Sequence, residues 1–454
     1  MKSTFVNRRR FFKSALIAGM SIPVSFPSKL FSNHHKGIAG QNWAKSFTYG
    51  AARFHQPATV HELRRLVRQS HRVKALGGRH SFSRIADTDA DLISTSQFNR
   101  LFKLDKKNHT VTLGSGMKYG EFAELLHNSG YAVHNLASLP HIQIGGAIGT
   151  ATHGSGDNNG NLATPVAAIE LVTADGNLLR LKRGDHNFEG AVIHLGALGV
   201  ITEVTLDVLP TFDVQQYVYI GLTQDQLQTN FDNIFSSAYS ASVFTDWQED
   251  PRLSTIWVKH KVNGKLFKAP VKMFGAKLVD HHVHPIVGLD AEVCTPQMGK
   301  VGPWFDRLPH FLMGFQPSTG DELQSEFFVP RIHAVEGIRE LYSLRQKLKS
   351  VLQISEIRTI KADNYWMSTA FGTDCVAFHF TWIKDLSRVL SVLPLIEGKL
   401  SPFRARPHWG KLTTMRPKVL RSHYPKILAF RQLATQLDPS GKFHNDYLKK
   451  YVVA

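Results

Sequence analysis

Cysteine is scarce in this sequence, whose 454 residues include only Cys294 and Cys375. Two thiols are too few for a disulfide framework or for a cysteine-rich metal site, so both are excluded. Cys375 begins an apolar run that ends at Phe380, and we predict a buried free thiol there rather than a catalytic one. Because 43% of the residues are apolar and 20% are charged, a disordered, collagen-like or membrane-spanning protein is also excluded.

Acidic residues are in short supply as well. The sequence has 36 Asp and Glu against 54 Lys and Arg, a net charge of +18. Such a charge can attract nucleic acid, an anionic membrane or an acidic substrate. Beyond the N-terminus, however, the basic residues are scattered and form no aromatic-interleaved basic motif, so we interpret the charge as a solvated surface and expect no nucleic-acid partner. A basic envelope-binding or nucleic-acid-binding protein remains the alternative from another functional class.

Several catalytic motifs are missing. The sequence has no Walker A motif, no H-E-x-x-H and no G-x-S-x-G, which argues against an NTPase, a zincin and an α/β-hydrolase. Gly114–Gly120 is similar to a dinucleotide fingerprint, but it has one residue too many before its last glycine and follows a predicted hairpin. The histidines of Asp280–His284 stand alone before Pro285, so we interpret them as a solvated loop and predict no metal site.

The N-terminus has the features of an export signal. The basic segment Asn7–Lys13 contains Arg8 and Arg9, and the apolar stretch Ser14–Phe26 is too short and too interrupted for a membrane span. This order resembles the twin-arginine signal, although no clear cleavage site follows. We predict a twin-arginine-like signal peptide and linker over residues 1–40, export to the periplasm by the twin-arginine machinery, and a cytoplasmic location only if the signal is not used. Because that machinery carries folded proteins, a cofactor loaded in the cytoplasm is also indicated.

Helix and strand patterns alternate in the body of the chain. Thr59-Val60-His61-Glu62 has capping-box spacing before a helical apolar stripe, and Asp175-Gly176 separates two apolar runs as a hairpin turn would. We predict an α+β protein with one domain at residues 41–210 and a larger one at residues 211–454. Its last segment, about residues 415–454, is expected to pack back on the first domain.

Two glycine-rich loops carry the clearest functional signal. The first, Leu76–Phe82, leaves a predicted strand, and its adjacent glycines let consecutive N–H groups converge on an anion such as a pyrophosphate, with Arg79 adding charge. The second, Ile144–Gly156, combines small side chains with several hydroxyls. A tight turn explains either loop alone, but both in one domain predict a long, flat, phosphate-bearing ligand that lies along the glycines.

These loops are part of a resemblance that runs from about Asn42 to Tyr447. The chain resembles FAD-linked oxidases of the vanillyl-alcohol-oxidase type, and among them the alditol oxidases (xylitol or sorbitol oxidases), with sugar-lactone oxidases as close relatives. The resemblance implies a two-domain FAD-binding fold of the PCMH type, whose second α+β domain is a substrate-binding cap built on an antiparallel sheet. It is carried by Gly77–Phe82, Leu136–His141, Gly146–Gly156, Gly196–Ile201, Ser355–Thr359, His379–Trp382, Arg406–Lys411 and Gly441–Asn445.

The resemblance also implies roles for individual residues. In this family the histidine of the first loop is bonded to the flavin 8α-methyl, which assigns that role to His80. Ser138 matches a serine that contacts the substrate near the flavin, and Ala137 falls where the family controls the access of oxygen. The residues implied in FAD binding are Leu76, Gly77, Gly78, Arg79, His80, Ser81, Phe82, Ser138, Gln143, Gly146, Thr150, Ala151, Thr152, His153 and Ile201.

The second domain holds a polar cluster that suits the oxidation of an alcohol. Glu356 and Arg358 are two residues apart, so on a strand both point to one face, and His379 and Thr381 repeat that spacing. Arg358 and Lys411 are expected to bind hydroxyls and to stabilise the charge that develops on the alkoxide and on the reduced flavin. Glu356 and Thr381 are expected to hydrogen-bond the substrate, and His379 is either a base or an orienting group. The alternative for each pair is an exposed salt bridge or a polar strand face.

These inferences combine into one predicted activity. We expect FAD-dependent oxidation of a terminal hydroxyl of a small polyol (an alditol) to the aldehyde, with O2 as acceptor and H2O2 as product. The alternative within the family is an aldonolactone or sugar dehydrogenase that passes its electrons to a cytochrome or a quinone.

Overall fold

The computed structural model describes residues 39–315 and 321–453. Arg8, Arg9 and the apolar stretch of the predicted signal therefore lie outside the described residues. Within the described ranges, no helix is long and apolar enough to cross a membrane.

Strands and helices alternate along the chain. The strands up to residue 210 are β1 (Arg53–His55), β2 (Val73–Leu76), β3 (Asp91–Ser94), β4 (Phe102–Asp105), β5 (Thr110–Gly114), β6 (Tyr131–Ala132), β7 (Val166–Val172), β8 (Leu178–Lys182), β9 (Val200–Asp207) and β10 (Leu209–Pro210). The later strands are β11 (Asp213–Ile220), β12 (Ser240–Thr245), β13 (Thr255–Val262), β14 (Lys272–Met273), β15 (Ala276–Leu278), β16 (Gly302–Pro303), β17 (Glu322–Pro330), β18 (Leu352–Ile360), β19 (Cys375–Ile383) and β20 (Arg406–Pro407). The helices are α1 (Val60–Gln69), α2 (Tyr119–Asn128), α3 (Ile144–Gly149), α4 (Phe188–Val192), α5 (Gln224–Thr229), α6 (Phe231–Ser236), α7 (Ala334–Ser343), α8 (Arg345–Leu348), α9 (Leu386–Leu400), α10 (Pro417–Ser422), α11 (Ile427–Leu437) and α12 (Asp446–Leu448).

Local sequence signals explain where some of these elements begin and turn. Thr59 caps α1, because its side chain accepts a hydrogen bond from the backbone N–H of Glu62 at 3.2 Å, and Leu63 and Val67 of the apolar stripe are buried. β7 and β8 form the predicted hairpin, and Gly176 takes a φ of +76° at its turn. Since that φ favours glycine, the turn depends on this residue. The predictions of the capped helix and of the hairpin are confirmed.

The region before residue 210 contains a parallel sheet of order β1-β3-β2 and an antiparallel sheet of order β4-β5-β9-β7-β8. The first glycine loop leaves the C-terminal end of β2, and α3 begins inside the second. Both glycine loops therefore lie at the ends of regular elements, where binding residues are often found.

The region after residue 210 is built on a ten-stranded antiparallel sheet. Its order is β14-β15-β11-β13-β12-β18-β19-β17-β20, and β16 pairs with β11. Side chains alternate between the two faces of a strand. On one face Ile357, Phe378 and Phe327 pack into a buried core shared with α7 and α9. The other face of β17, β18 and β19 carries polar side chains, so the alternation separates the core from a candidate site.

The C-terminal segment lies against the first region. Phe430 and Tyr451 share a buried cluster with Phe122 of α2. The backbone N–H of Val73 donates to the carbonyl of Lys442 at 2.9 Å, next to the strand from which the first glycine loop leaves. These contacts tie the end of the chain to that loop.

Candidate active site

A cavity lies between the two glycine loops and the polar face of β17, β18 and β19. Of the residues expected to bind FAD or substrate, only Ala151 does not line it. Ala151 is buried in the core behind the second loop, with a φ of +57°. The predicted residues that line the cavity are Leu76, Gly77, Gly78, Arg79, His80, Ser81, Phe82, Ala137, Ser138, Gln143, Gly146, Thr150, Thr152, His153, Ile201, Glu356, Arg358, His379, Thr381 and Lys411.

The two glycine loops lie against each other and form one wall. A Cβ at Gly77 would stand 3.6 Å from the Cα of Gly146, whereas a Cβ at Gly146 would meet no atom within 4 Å. Among the described residues, the backbone N–H groups of Gly77–Ser81 donate no hydrogen bond. Free N–H groups on a glycine turn form a nest for an anion, which fits the pyrophosphate of a dinucleotide. The Arg79 guanidinium donates to the carbonyl of Ala39, at the edge of this wall.

His80 presents a nitrogen without a protein partner. Its ring stacks on Trp43 with the ring centroids 5.5 Å apart, and its Nδ1 is buried with no hydrogen bond in the described part of the chain. Burial, together with the charges of His141 and Lys118, lowers the pKa of His80 to about 4. The imidazole is therefore neutral near pH ~7, so its buried nitrogen is free to meet a ligand.

His194 lines the same cavity and was missed by sequence reasoning. Its Nδ1 accepts a hydrogen bond from the backbone N–H of Gly196 at 3.1 Å, so the ring proton sits on Nε2. That Nε2 and the Oε1 of Gln143 are buried and have no partner among the described residues. Buried polar atoms are almost always hydrogen-bonded, so these atoms indicate a polar ligand in the cavity. Together with the loop nest, they fit FAD.

The polar side chains of the sheet come from adjacent strands in register. Glu356 of β18 pairs with His379 of β19, and His379 pairs with Glu326 of β17. In the next row on the same face, Thr381 of β19 pairs with Gln324 of β17. The predicted clustering of the Glu356–Arg358 and His379–Thr381 pairs follows from this register, because all these positions fall on the cavity face.

Two cations and two carboxylates meet on this face, and Arg358, Glu326 and Glu356 are buried while Lys411 is largely so. Arg358 Nη2 lies 2.6 Å from Glu326 Oε1, and its Nε lies 3.6 Å from Glu356 Oε2. Lys411 Nζ lies 2.8 Å from Glu326 Oε2. Burial alone would raise the pKa of Glu356 and of Glu326, but the neighbouring positive charges outweigh it and hold both pKa values well below their usual range. The four groups are therefore charged and balance one another.

Ser138 joins the sheet cluster to the wall of the glycine loops. Its Oγ accepts a hydrogen bond from Arg358 Nη1 at 3.3 Å. Its carbonyl accepts from the backbone N–H groups of His310 and Phe311 at 3.2 and 3.3 Å. Since these bonds fix both the backbone and the side chain of Ser138, the hydroxyl is held where the two walls meet.

Lys411 fixes the proton position on His379. Its Nζ lies 2.7 Å from His379 Nδ1, and an ammonium group can only donate, so Nδ1 accepts. The ring proton is then on Nε2, which lies 3.2 Å from the Oγ1 of Thr381. Burial and the charge of Lys411 lower the pKa of His379 to about 3. Both ring nitrogens are engaged, which favours an orienting role over that of a base.

Glu326 and His310 are further site residues that sequence reasoning missed. His310 Nε2 lies 2.9 Å from Glu356 Oε1, and Lys259 donates to the carbonyls of Leu308 and Pro309 just before it. Glu326 had one usable signal, since it repeats the two-residue spacing from Gln324 along β17, directly before the apolar run Phe327–Val329. His310 lies in an irregular segment, and no pattern in the sequence marks it as a site residue.

The remaining sequence predictions fall elsewhere. Cys294 and Cys375 are both free and buried, which confirms the predicted buried free thiol at Cys375, and burial raises the pKa of each thiol to about 12. His281 and His282 are exposed in a loop, whereas His284 is buried and bonds the backbone N–H of Ile286. No cluster of three His, Cys, Asp or Glu side chains that could hold a metal occurs in residues 39–315 and 321–453.

Comparison with known proteins also indicates an FAD-binding oxidase. A family model described as an FAD binding domain matches residues 51–182, and one described as D-arabinono-1,4-lactone oxidase matches residues 321–451. The chain is 43% identical over 411 residues to the alditol oxidase of Streptomyces sp. (strain IKD472 / FERM P-14339), covering 90% of this chain and 97% of that protein. It is 27% identical over 439 residues to the L-gulonolactone oxidase of Mus musculus, covering 92% and 98%.

Solved structures share the fold. Cholesterol oxidase from B. sterolicum superposes with a TM-score of 0.72 at 15% identity, covering 91% of this chain and 96% of that chain. Xylooligosaccharide oxidase from Myceliophthora thermophila C1, solved with xylobiose, superposes with a TM-score of 0.69 at 12% identity, covering 94% and 96%. The predicted two-domain FAD-binding α+β fold of the PCMH type is confirmed.

Proposed function

The chain belongs to the alditol oxidase family of FAD-dependent oxidoreductases, and we propose that it oxidises a terminal hydroxyl of an alditol to the aldehyde. The observation that carries this proposal is the charge-balanced cluster of Arg358, Lys411, Glu326 and Glu356, which meets the glycine-loop wall at Ser138. It places donors and acceptors for hydroxyl groups next to a cavity that fits FAD.

The glycine loops would hold the cofactor. The free N–H groups of Gly77–Ser81 would bind the pyrophosphate of FAD. The Nε2–H of His194 would donate a hydrogen bond to the cofactor. When bound, FAD accepts the hydride that leaves the carbon of the alcohol. His80 is the proposed point of covalent attachment, and this is supported by its buried, unpartnered Nδ1 and its stacking on Trp43.

The charge balance of the cluster suits an uncharged, hydroxyl-rich substrate. A polyol brings no charge that the protein would have to neutralise, and it offers several hydroxyls that both donate and accept hydrogen bonds. Arg358 and Lys411 can donate to a hydroxyl oxygen and stabilise the negative charge that grows there as hydride leaves. Glu356 can accept from a hydroxyl and so orient it, with Thr381 and Ser138 completing the set.

A lactone is the second candidate substrate, because residues 321–451 match the family of D-arabinono-1,4-lactone oxidase. Lactones are also uncharged, so the charge balance does not separate the two. The higher identity to the alditol oxidase, 43% against 27% for the L-gulonolactone oxidase, favours the alditol.

We propose O2 as the acceptor and H2O2 as the product. Ala137 lines the cavity beside Ser138, at the position where the family controls the access of oxygen. The alternative is the transfer of the electrons to a cytochrome or a quinone, both of which are larger acceptors than O2. The sequence of the N-terminal segment supports the proposal that the twin-arginine machinery exports the protein to the periplasm.

The test is a substrate and acceptor panel with purified protein. Oxygen uptake and H2O2 are measured with xylitol, sorbitol and an aldonolactone, and the reduction of cytochrome c and of a soluble quinone is measured in parallel. We expect one H2O2 for each aldehyde formed from an alditol. Turnover of the lactone alone would reject the alditol, and turnover only with cytochrome c or quinone would reject O2.

A further inference from the structure

Glu326 is a fully buried carboxylate whose two oxygens are shared among side chains from separate segments. Oε1 lies 2.6 Å from Arg358 Nη2 and 3.2 Å from His153 Nε2, and Oε2 lies 2.8 Å from Lys411 Nζ. The side chain is 0% exposed. No substrate can therefore reach its oxygens without displacing one of these partners, which sets Glu326 apart from Glu356.

We propose that Glu326 is a positioning residue that acts as the counter-anion of the substrate-binding cations, keeping Lys411 protonated and holding it against His379. The inference rests on the proposed function for its kinetic test, because it assigns Lys411 a task in the oxidation of the alcohol. It goes beyond that function by naming the group that sets the charge of Lys411.

The first argument is geometric. The backbone carbonyl of Glu326 accepts from the N–H of His408 at 2.9 Å, and the N–H of Lys411 donates to the carbonyl of His408 at 3.0 Å. Glu326 thus holds the segment that carries Lys411 through its main chain and the ammonium through its side chain. His153 of the second glycine loop also lies beside this carboxylate, with its Nε2 3.2 Å from Oε1, so Glu326 stands where the substrate wall meets the cofactor wall.

The second argument is the charge balance. Lys411 is largely buried, which lowers its pKa, and Glu326 is the strongest influence that raises it again. The other charged or titratable groups that face the pair are Arg358 and Glu356 of β18, His379 of β19, His153 of the second glycine loop, and His408. Burial and nearby positive charge lower the pKa of all three of these histidines, so they stay neutral. Glu326 and Glu356 are then the anions that offset Arg358 and Lys411.

The third argument is the consequence for His379. A protonated Lys411 donates to Nδ1 of His379 and so keeps the ring proton on Nε2, toward Thr381. A neutral Lys411 could accept from Nδ1–H instead, which would reverse the ring tautomer and remove the proton from the Thr381 side. The charge on Lys411 therefore determines which hydrogen-bond donors His379 and Thr381 present to the cavity.

The kinetic test compares Glu326→Gln with Glu326→Asp. Gln has the shape of Glu but no charge, whereas Asp is shorter but keeps the charge. Loss of an anion at contact distance lowers the pKa of a lysine by about one to three pH units. In Glu326→Gln the rate of anaerobic flavin reduction by an alditol should fall about tenfold for each pH unit above that new pKa and recover as the pH is lowered. Glu326→Asp should keep the pH profile of the wild type.

The control is Glu170→Gln, which removes another buried carboxylate, one that is bonded to Thr202 and Arg180 in the first region. It should leave the profile unchanged. A rate loss of equal size at every pH in Glu326→Gln, or a smaller loss in Gln than in Asp, would show that shape rather than charge matters and would overturn the proposal.

A direct measurement does not depend on the substrate. Protein labelled with 13C at the lysine Cε is titrated by NMR, and the Lys411 signal is identified by its absence in Lys411→Met. We expect this signal to titrate at lower pH in Glu326→Gln than in the wild type and in Glu170→Gln. An unchanged titration would contradict the proposal even if alditols reduce the flavin, and a shifted one would support it even if the substrate is a lactone.

Discussion

The ammonium of Lys411 donates a hydrogen bond to the imidazole of His379, with Nζ 2.7 Å from Nδ1. This contact decides a question that the sequence leaves open, because a histidine on a polar strand face can serve as a base or as an orienting group. With Nδ1 accepting from Lys411 and Nε2 donating to Thr381, His379 has no free lone pair for the hydroxyl proton of a substrate.

The first prediction concerns the pH dependence of His379. Because burial and Lys411 lower its pKa to about 3, the neutral ring is the native form and is lost only as the pH falls toward that value. The rate of anaerobic flavin reduction should therefore show no His379 titration near pH ~6.5, the ordinary pKa of histidine. His379→Asn, whose oxygen can still accept from Lys411, should lose no more than about tenfold in that rate, the scale of one hydrogen bond.

A general base contributes about a hundred- to ten-thousand-fold, so a loss of that size in His379→Asn would restore His379 as the base. The same would follow from an acid limb at about pH 6.5 in the wild-type profile that disappears in the variant. Both results come from one stopped-flow series recorded across the pH range.

The second prediction concerns Arg358. Its guanidinium contacts Glu326 and Ser138 and lies beside Glu356, and removing such a preorganised donor from a buried site costs about a hundred- to thousand-fold in rate. Arg358→Met should therefore slow anaerobic reduction by about that factor, while the visible spectrum remains that of a bound flavin. The loss should appear in the reduction rate more than in the substrate affinity, because the charge arises only as hydride leaves.

Thr381→Val is the matched control for Arg358→Met, because Thr381 of β19 lies on the same face of the sheet as Arg358 of β18. A neutral hydroxyl contact contributes about 0.5–1.5 kcal/mol, so this variant should mainly raise KM. A near-normal rate of flavin reduction by an alditol in Arg358→Met would show that the cluster supports the fold and that the active site lies elsewhere.

The third prediction concerns the flavin linkage. If His80 forms the covalent bond, acid precipitation of the wild type should leave the yellow colour with the protein, and His80→Ala should release it into the supernatant. His194→Ala serves as a control, since it removes another cavity-lining imidazole without touching the linkage. Release of the flavin from the wild type would reject the covalent bond.

The fourth prediction concerns export. Replacing Arg8 and Arg9 by Lys keeps the charge of the segment but removes the arginine pair that the twin-arginine machinery reads. Active enzyme should then stay in the cytoplasm, as measured by activity in the separated periplasmic and cytoplasmic fractions. Periplasmic activity equal to that of the wild type would mean that another route, or no export signal, operates.

Much of the site could be predicted because its signals are local. Alternation along a strand is enough to place Glu356 beside Arg358 and His379 beside Thr381, and both pairs share a face as expected. The glycine loops can likewise be identified from their composition. Each of these inferences uses residues that are close together in the sequence.

The places of Glu326 and His310 in the site could not be found in this way. Glu326 meets His379 only because β17 pairs with β19 in one register out of many, and a shift by one residue would place it in the apolar core. His310 reaches Glu356 because Lys259 and Ser138 fix the irregular segment around it, which no sequence pattern marks. The organisation of the cluster is therefore a property of strand pairing and loop anchoring rather than of any motif.

The most direct test of the central claim is the absorption spectrum of the purified wild-type protein under anaerobic conditions, before and after an alditol is added. Xylitol and sorbitol are compared with an aldonolactone at equal concentration. The proposed function predicts a visible flavin band that bleaches with the alditol faster than with the lactone, as expected for hydride transfer to FAD. A flavin band that alditols leave unchanged would contradict the claim, and so would the absence of any flavin after expression with ample riboflavin.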